Sequence, residues 1–169
     1  MIHMGDEIGQ REAWNTRIGD REGAVQWHLL DSHPSSHFHR GLQECVADLN
    51  GLYRSLPTFW NPHYKYMSHY APNGVLGFHR TDSHGQNLAV ICNFSIDGFP
   101  AYDFPLDPEA ANLTEAREIF NTDGVQYGGT GEYPNRYPYI VRNEASTPTH
   151  LRIALPPLSL LVFEEKRAT

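Results

Sequence analysis

Apolar positions along this chain follow two rhythms, and the change from one to the other divides it. In the first part the clear signal is helical. Phe38, Leu42, Cys45, Val46, Leu49, Leu52, Tyr53 and Leu56 recur with a period of about 3.6 residues, which predicts one long amphipathic helix with a single apolar face. Ser35 or Ser36 can cap its first N–H groups, and Pro57 cannot continue it. Gly41 and Gly51 each cost such a helix roughly 1 kcal/mol relative to Ala, so packing has to hold it. From Gly74 onward the apolar residues fall instead into short runs of strand character, at 75–80, 87–94, 101–106, 117–122, 137–142, 149–155 and 158–165. Turn formers separate them, among them Asp82–Gln86, Ile96–Pro100, Asp107–Asn112 and Gly128–Gly131. Runs at that spacing, without helical periodicity, read as an antiparallel β-sandwich. Leu88–Cys92 is apolar on both faces and suits a central strand. Leu151, Ile153 and Leu155 alternate with Arg152, as in a strand with one wet face.

Two stretches fit neither rhythm. Ile2–Met4 reads as a short buried strand that Gly5 ends. No earlier strand precedes it in the sequence, and a lone strand cannot satisfy its own backbone groups. It therefore reads as the last piece of something larger, with an open edge through which two copies could associate. Residues 5–35 are loop in character, yet Trp14 and Trp27 call for a surface to cover them. Residues 57–73 form an aromatic connection carrying Phe59, Trp60, Tyr64, Tyr66 and Tyr70. These rings suit either stacking on sugars or packing at a seam between helix and sandwich.

Met4-Gly5-Asp6-Glu7-Ile8-Gly9-Gln10, then Trp14-Asn15, then Trp27-His28-Leu29-Leu30 resembles the bacterial 1,4-α-glucan (glycogen) branching enzymes of the α-amylase superfamily. The likeness runs on, in order, through Val46–Arg54, Cys92-Asn93-Phe94, Asn121-Thr122-Asp123, Tyr127–Gly131 and Leu155–Leu158. Asp6, Ile8 and Gln26 depart from the residues usual there, and the loop between Asn15 and Trp27 is longer. The resemblance implies a mainly β chain: an antiparallel β-sandwich preceded by the last strand, loop and helix of a truncated (β/α)8 barrel. Residues 1–72 would be the tail of the catalytic barrel and 73–169 the C-terminal all-β domain. It implies substrate-binding positions at Glu7, Trp14 and Asn15; Trp60 and Tyr64 of the aromatic connection are the candidates for stacking on sugar by the chemistry of their rings. Its catalytic Asp, Glu and Asp lie on earlier barrel strands, and their motifs match nothing in these 169 residues. The expectation is a non-catalytic portion of an enzyme that moves α-1,4-linked glucan chains onto 6-hydroxyls, with α-glucan and the missing N-terminal barrel portion as its partners. The alternative is a free-standing carbohydrate-binding or structural sandwich.

Composition narrows the rest. A formal charge of −7 and a pI near 5.7 leave no basic stripe for nucleic acid. No window approaches ~18 consecutive apolar residues, so no membrane span is expected, and the N-terminus lacks the features of a secretory signal. Cys45 and Cys92 form no CxxC pair and read as reduced thiols of a cytoplasmic protein. Asp6 and Glu7 are adjacent carboxylates, but neighbours on an extended chain point to opposite faces and cannot readily flank one glycosidic bond. His33, His37 and His39 lack the spacing of a metal site. No GxSxG elbow, dinucleotide fingerprint or P-loop occurs. No metal and no cofactor is expected.

Overall fold

The doubly apolar run becomes the middle of the molecule. In the computed structural model, which describes residues 4–11, 24–60, 69–70, 72–106, 112–136, 139–143, 145 and 148–168, β3 (Asn87–Asn93) has a neighbour on each side. It pairs antiparallel with β2 (Val75–Thr81) and with β8 (Ser159–Arg167). β1 (His69–Tyr70) and β5 (Leu113–Asn121) close a five-stranded sheet in the order β1-β2-β3-β8-β5. β4 (Phe99–Pro105), β6 (Tyr139–Arg142) and β7 (Pro148–Leu155) form a three-stranded antiparallel sheet in the order β4-β7-β6. Each of the seven runs read from the sequence is a strand. The largest shift is in the fourth, which starts at Leu113 instead of Arg117.

Side-chain alternation sorts β3 onto two cores. Ala89 and Ile91 join Val75, Leu113, Leu161 and Phe163 against Phe104, Leu151, Ile153 and Leu155 of the smaller sheet. This is the sandwich interior. Leu88 and Val90 point the other way and, with Phe120 and Val162, make a second buried cluster on the outer face of the large sheet. Three half-buried helix-side residues, Cys45, Leu52 and Leu56, cover that cluster together with Phe59. The fold is therefore three layers deep: helix, large sheet, small sheet.

The covering helix, α2 (Ser36–Ser55), is the one read from the sequence; a short α1 (His28–Asp31) precedes it. Its docking is set by a close approach at Gly41, where an added Cβ would lie 2.4 Å from the Tyr127 carbonyl oxygen. Two turns further on, the Tyr127 hydroxyl donates to Asp48 Oδ2 at 2.6 Å. Burial, and then the carboxylate acceptor, push the Tyr127 phenol up to about 12. Residue spacing places Gly41, Cys45, Asp48 and Leu52 along one edge of the apolar face. The other edge, Phe38, Leu42, Leu49 and Tyr53, is uncovered, with 53%, 37%, 39% and 51% of each residue exposed.

A polar latch fastens the helix exit to the sandwich. Thr58, in the 3-10 turn Pro57–Phe59, is buried, and its hydroxyl lies 2.9 Å from Gln86 Oε1 and 3.2 Å from Asp82 Oδ2. Asp82 Oδ1 also accepts the N–H groups of His84 at 2.8 Å and Gln86 at 2.9 Å. Burial pushes the Asp82 carboxyl up, but the Gln86, His84 and Thr58 donors outweigh it and hold the group below the ordinary carboxylate range. A group lowered in the folded state stabilises it at neutral pH and loses that contribution as pH falls through the lowered value. Asp82→Ala is therefore expected to cost roughly 2–3 kcal/mol at pH 7. The wild-type and variant stabilities should converge in acid, as measured by urea unfolding across a pH series.

Candidate functional site

The segment before the helix folds as a closed turn. Gly5 (φ 97°) and Gly9 (φ 66°) both take left-handed backbone and bracket the 3-10 turn Asp6–Ile8. A side chain at Gly5 would be strained by that φ, and its Cβ would meet Gln10 Oε1 at 2.6 Å. Gln10 is placed to tie the turn to the chain that returns beside it. Its Oε1 accepts the Gln26 N–H at 3.0 Å, and its Nε2 donates to the Ala24 carbonyl at 3.3 Å. Ile8 is wholly buried, and its carbonyl accepts a hydrogen bond from His39 Nδ1 of α2 at 2.6 Å. A carbonyl only accepts, so that ring nitrogen carries a proton. These bonds give a physical reason for the Gly-x-x-x-Gly-Gln spacing.

Glu7 is half-buried, and its Oε2 accepts the Gly5 N–H at 2.9 Å. The carboxylate thus closes its own turn. Trp14 and Asn15 lie outside the described residues, as do Ile2, His3 and Tyr64. Trp60 is 54% exposed at the end of the Pro57–Phe59 turn, and Trp27 is 59% exposed at the start of α1. The structure brings Glu7 to the turn but sets Trp60 at the opposite end of α2. Sequence reasoning missed His39, Gln10 and Gln26 as the residues that hold the turn. The Gln10 position inside the motif was the available signal.

A cleft of about 650 Å³ lies beside this turn, lined by Gly9, Arg11, Gln26, His33, Phe38 and His39 among others. The rings of His33 and His39 meet edge to face at 5.3 Å. His33 Nδ1 accepts the Ser35 N–H at 3.1 Å, while His39 Nδ1 is committed to Ile8. Among the described residues no cluster of His, Cys, Asp and Glu is placed to hold a metal ion. No helix of those residues is long and apolar enough to cross a membrane.

The family model described as "Alpha amylase, C-terminal all-beta domain" matches residues 66–166. The chain belongs to that family. Over 97% of its length it is 30% identical to the 1,4-alpha-glucan branching enzyme GlgB of Chlamydia caviae. It is 37% identical over 96% of its length to the enzyme of the same name from Synechococcus sp. (strain WH7803). These alignments cover 22% and 21% of the two relatives, so the chain spans about a fifth of their length. Among solved structures, an α-amylase from H. orenii superposes with a TM-score of 0.54 at 16% identity, covering 96% of this chain and 31% of that one. The Group B Streptococcus pullulanase SAP gives 0.54 at 19%, covering 85% and 18%. At such identities the likeness is one of fold. The α-amylase superposition extends past the matched all-β region into residues before it.

Proposed function

We propose that these residues form the closing portion of a 1,4-α-glucan branching enzyme. Residues 1–72 complete its catalytic barrel, and 73–169 are its C-terminal sandwich. What carries this reading is identity of 30–37% along nearly the whole chain to relatives with that name, and not along the sandwich alone. The free edge of α2 supports it: Phe38, Leu42, Leu49 and Tyr53 form the stripe that a barrel wall would cover. In the whole enzyme the reaction would cut an α-1,4 linkage, hold the released chain as a covalent glycosyl-enzyme, and pass it to a 6-hydroxyl with retention. The attacking and proton-donating carboxylates would come from the rest of the barrel. Glu7, already closing its own turn, would shape the rim of that site, with Trp14 and Asn15 beside it. The substrate would be an α-glucan of the glycogen or amylose type, and the setting cytoplasmic.

The 169 residues alone are expected to form no α-1,6 linkages when incubated with amylose and assayed by iodine staining and debranching. Joined to the barrel and preceding domains of a branching enzyme, they should support turnover. Activity of the chain alone that disappears with Glu7→Gln would overturn the assignment. An inert chain that binds maltoheptaose through Trp60, and cannot restore activity to such a barrel, would favour the free-standing sugar-binding module.

A further inference from the structure

At one end of the large sheet, β5 borders a small cleft of about 290 Å³. The chain after β5 folds back to form the opposite wall, which contributes Asp123, Gln126, Gly131, Tyr133 and Pro134. At that volume the cleft sits at the small end of ligand pockets, on the order of 300 Å³, with room for about one sugar ring.

Its polar groups are held in place before any ligand arrives. Glu118 Oε2 accepts Asn135 Nδ2 at 2.7 Å and Asn121 Nδ2 at 3.3 Å. Asn135 is itself buried and locked to β7, donating to the Ala154 carbonyl at 2.8 Å and accepting the Ala154 N–H at 2.7 Å. Among the described residues, Glu118 Oε1 makes no hydrogen bond. Asp123 is spent within the turn, one oxygen on the Thr130 N–H and the other on the Thr130 hydroxyl, each at 2.8 Å. Tyr133 is fixed from behind, since a Cβ at Gly98 would fall 2.2 Å from its hydroxyl oxygen. One open carboxylate oxygen, amide groups and a fixed aromatic ring suit a neutral polyhydroxylated ring, whose hydroxyls donate and whose C–H face packs on the phenol. An anionic ligand would face Glu118 unscreened.

We propose that this cleft binds a terminal glucosyl residue of an α-glucan, with Glu118 accepting from its hydroxyls and Tyr133 packing against its ring. That the ring is a glucosyl unit rests on the branching-enzyme reading; the polyhydroxyl chemistry rests on the cleft itself. Burial pushes the Glu118 carboxyl up, against the lowering effect of the Asn135 and Asn121 amides.

The test is an NMR titration of the isotope-labelled 169-residue chain with maltotriose. Saturable shifts are expected at the Asn121 and Asn135 side-chain amides and at Tyr133. Glu118→Gln keeps an oxygen for the two asparagines but changes what the open position offers, and should weaken binding about tenfold. Tyr133→Ala should weaken it at least as much. If Tyr133→Ala unfolds the sandwich, Glu118→Gln, checked by an unchanged backbone spectrum, decides alone. Absence of saturable shifts at these residues, binding indifferent to Glu118→Gln, or binding lost only with Trp60→Ala would each overturn the proposal. None of these results touches the branching assignment, which is read by new α-1,6 linkages.

Discussion

A chain that begins at residue 73 is expected to lose most of its cooperative stability and to self-associate more strongly, whereas one that begins at residue 36 keeps most of its stability. Every strand needed to close the inner core lies from β2 onward, which by itself predicts a self-sufficient sandwich. The outer face of the large sheet changes that expectation. Leu88, Val90, Phe120 and Val162 are at most 4% exposed, and the cover over them includes Leu52, Leu56 and Phe59 from before residue 73. Uncovering a Val, Leu or Phe side chain costs about 1.5–3 kcal/mol when complete. Partial exposure of four such residues is then worth on the order of 5 kcal/mol, comparable to the whole stability of many domains. The same truncation removes the Tyr127–Asp48 bond and leaves Asp82 and Gln86 without Thr58. A contiguous apolar patch on a sheet face also invites a second copy. Guanidinium unfolding and size-exclusion chromatography of the two chains would check this. Equal midpoints and a monomeric shorter chain would show that the helix is a bystander.

What could be read in the sequence and what could not differ for physical reasons. Strand existence was legible because alternation and turn residues are local properties, and the family was legible because its motifs occur in order. The division of the helix face was not. Periodicity places Leu49 and Leu52 on one apolar face, but only the position of the sheet decides that Leu52 is covered and Leu49 exposed. The burial of polar residues was not legible either. His79 and Glu165 lie in two of the strand runs, and their side chains are 3% and 0% exposed, with Nδ1 and Oε1 at 3.2 Å. A charge on a strand reveals its face only when the register is known. Glu7 was singled out as a substrate-binding position through the resemblance. The structure adds a bond to Gly5 that no linear motif specifies. Glu118 was not singled out, because its setting depends on Asn135, which reaches it from the far end of the fold-back loop.

Leu42→Lys combined with Leu49→Lys is expected to be nearly silent in the 169-residue chain and severe in the complete enzyme. In the chain alone both residues sit on the uncovered edge of α2. Surface substitutions of that kind usually shift stability by less than about 0.5 kcal/mol, and Lys matches Leu closely in helix propensity. Removing two apolar groups from an exposed stripe should also reduce self-association, visible by sedimentation. If the stripe meets a barrel wall in the complete enzyme, the same two ammonium groups would be buried without partners. Several kcal/mol would be lost, and branching activity would fall with the folded population. Leu52→Lys gives the opposite contrast. It faces the cluster of Leu88, Val90, Phe120 and Val162, so it should destabilise the short chain and the complete enzyme alike. Comparing the two variants in both settings separates the two edges of one helix. If the Leu42 and Leu49 pair proved as harmless in the complete enzyme as in the short chain, the stripe would not meet the barrel. The assignment of residues 1–72 to the barrel's closing strand and helix would then fail, while membership of the all-β domain family would stand.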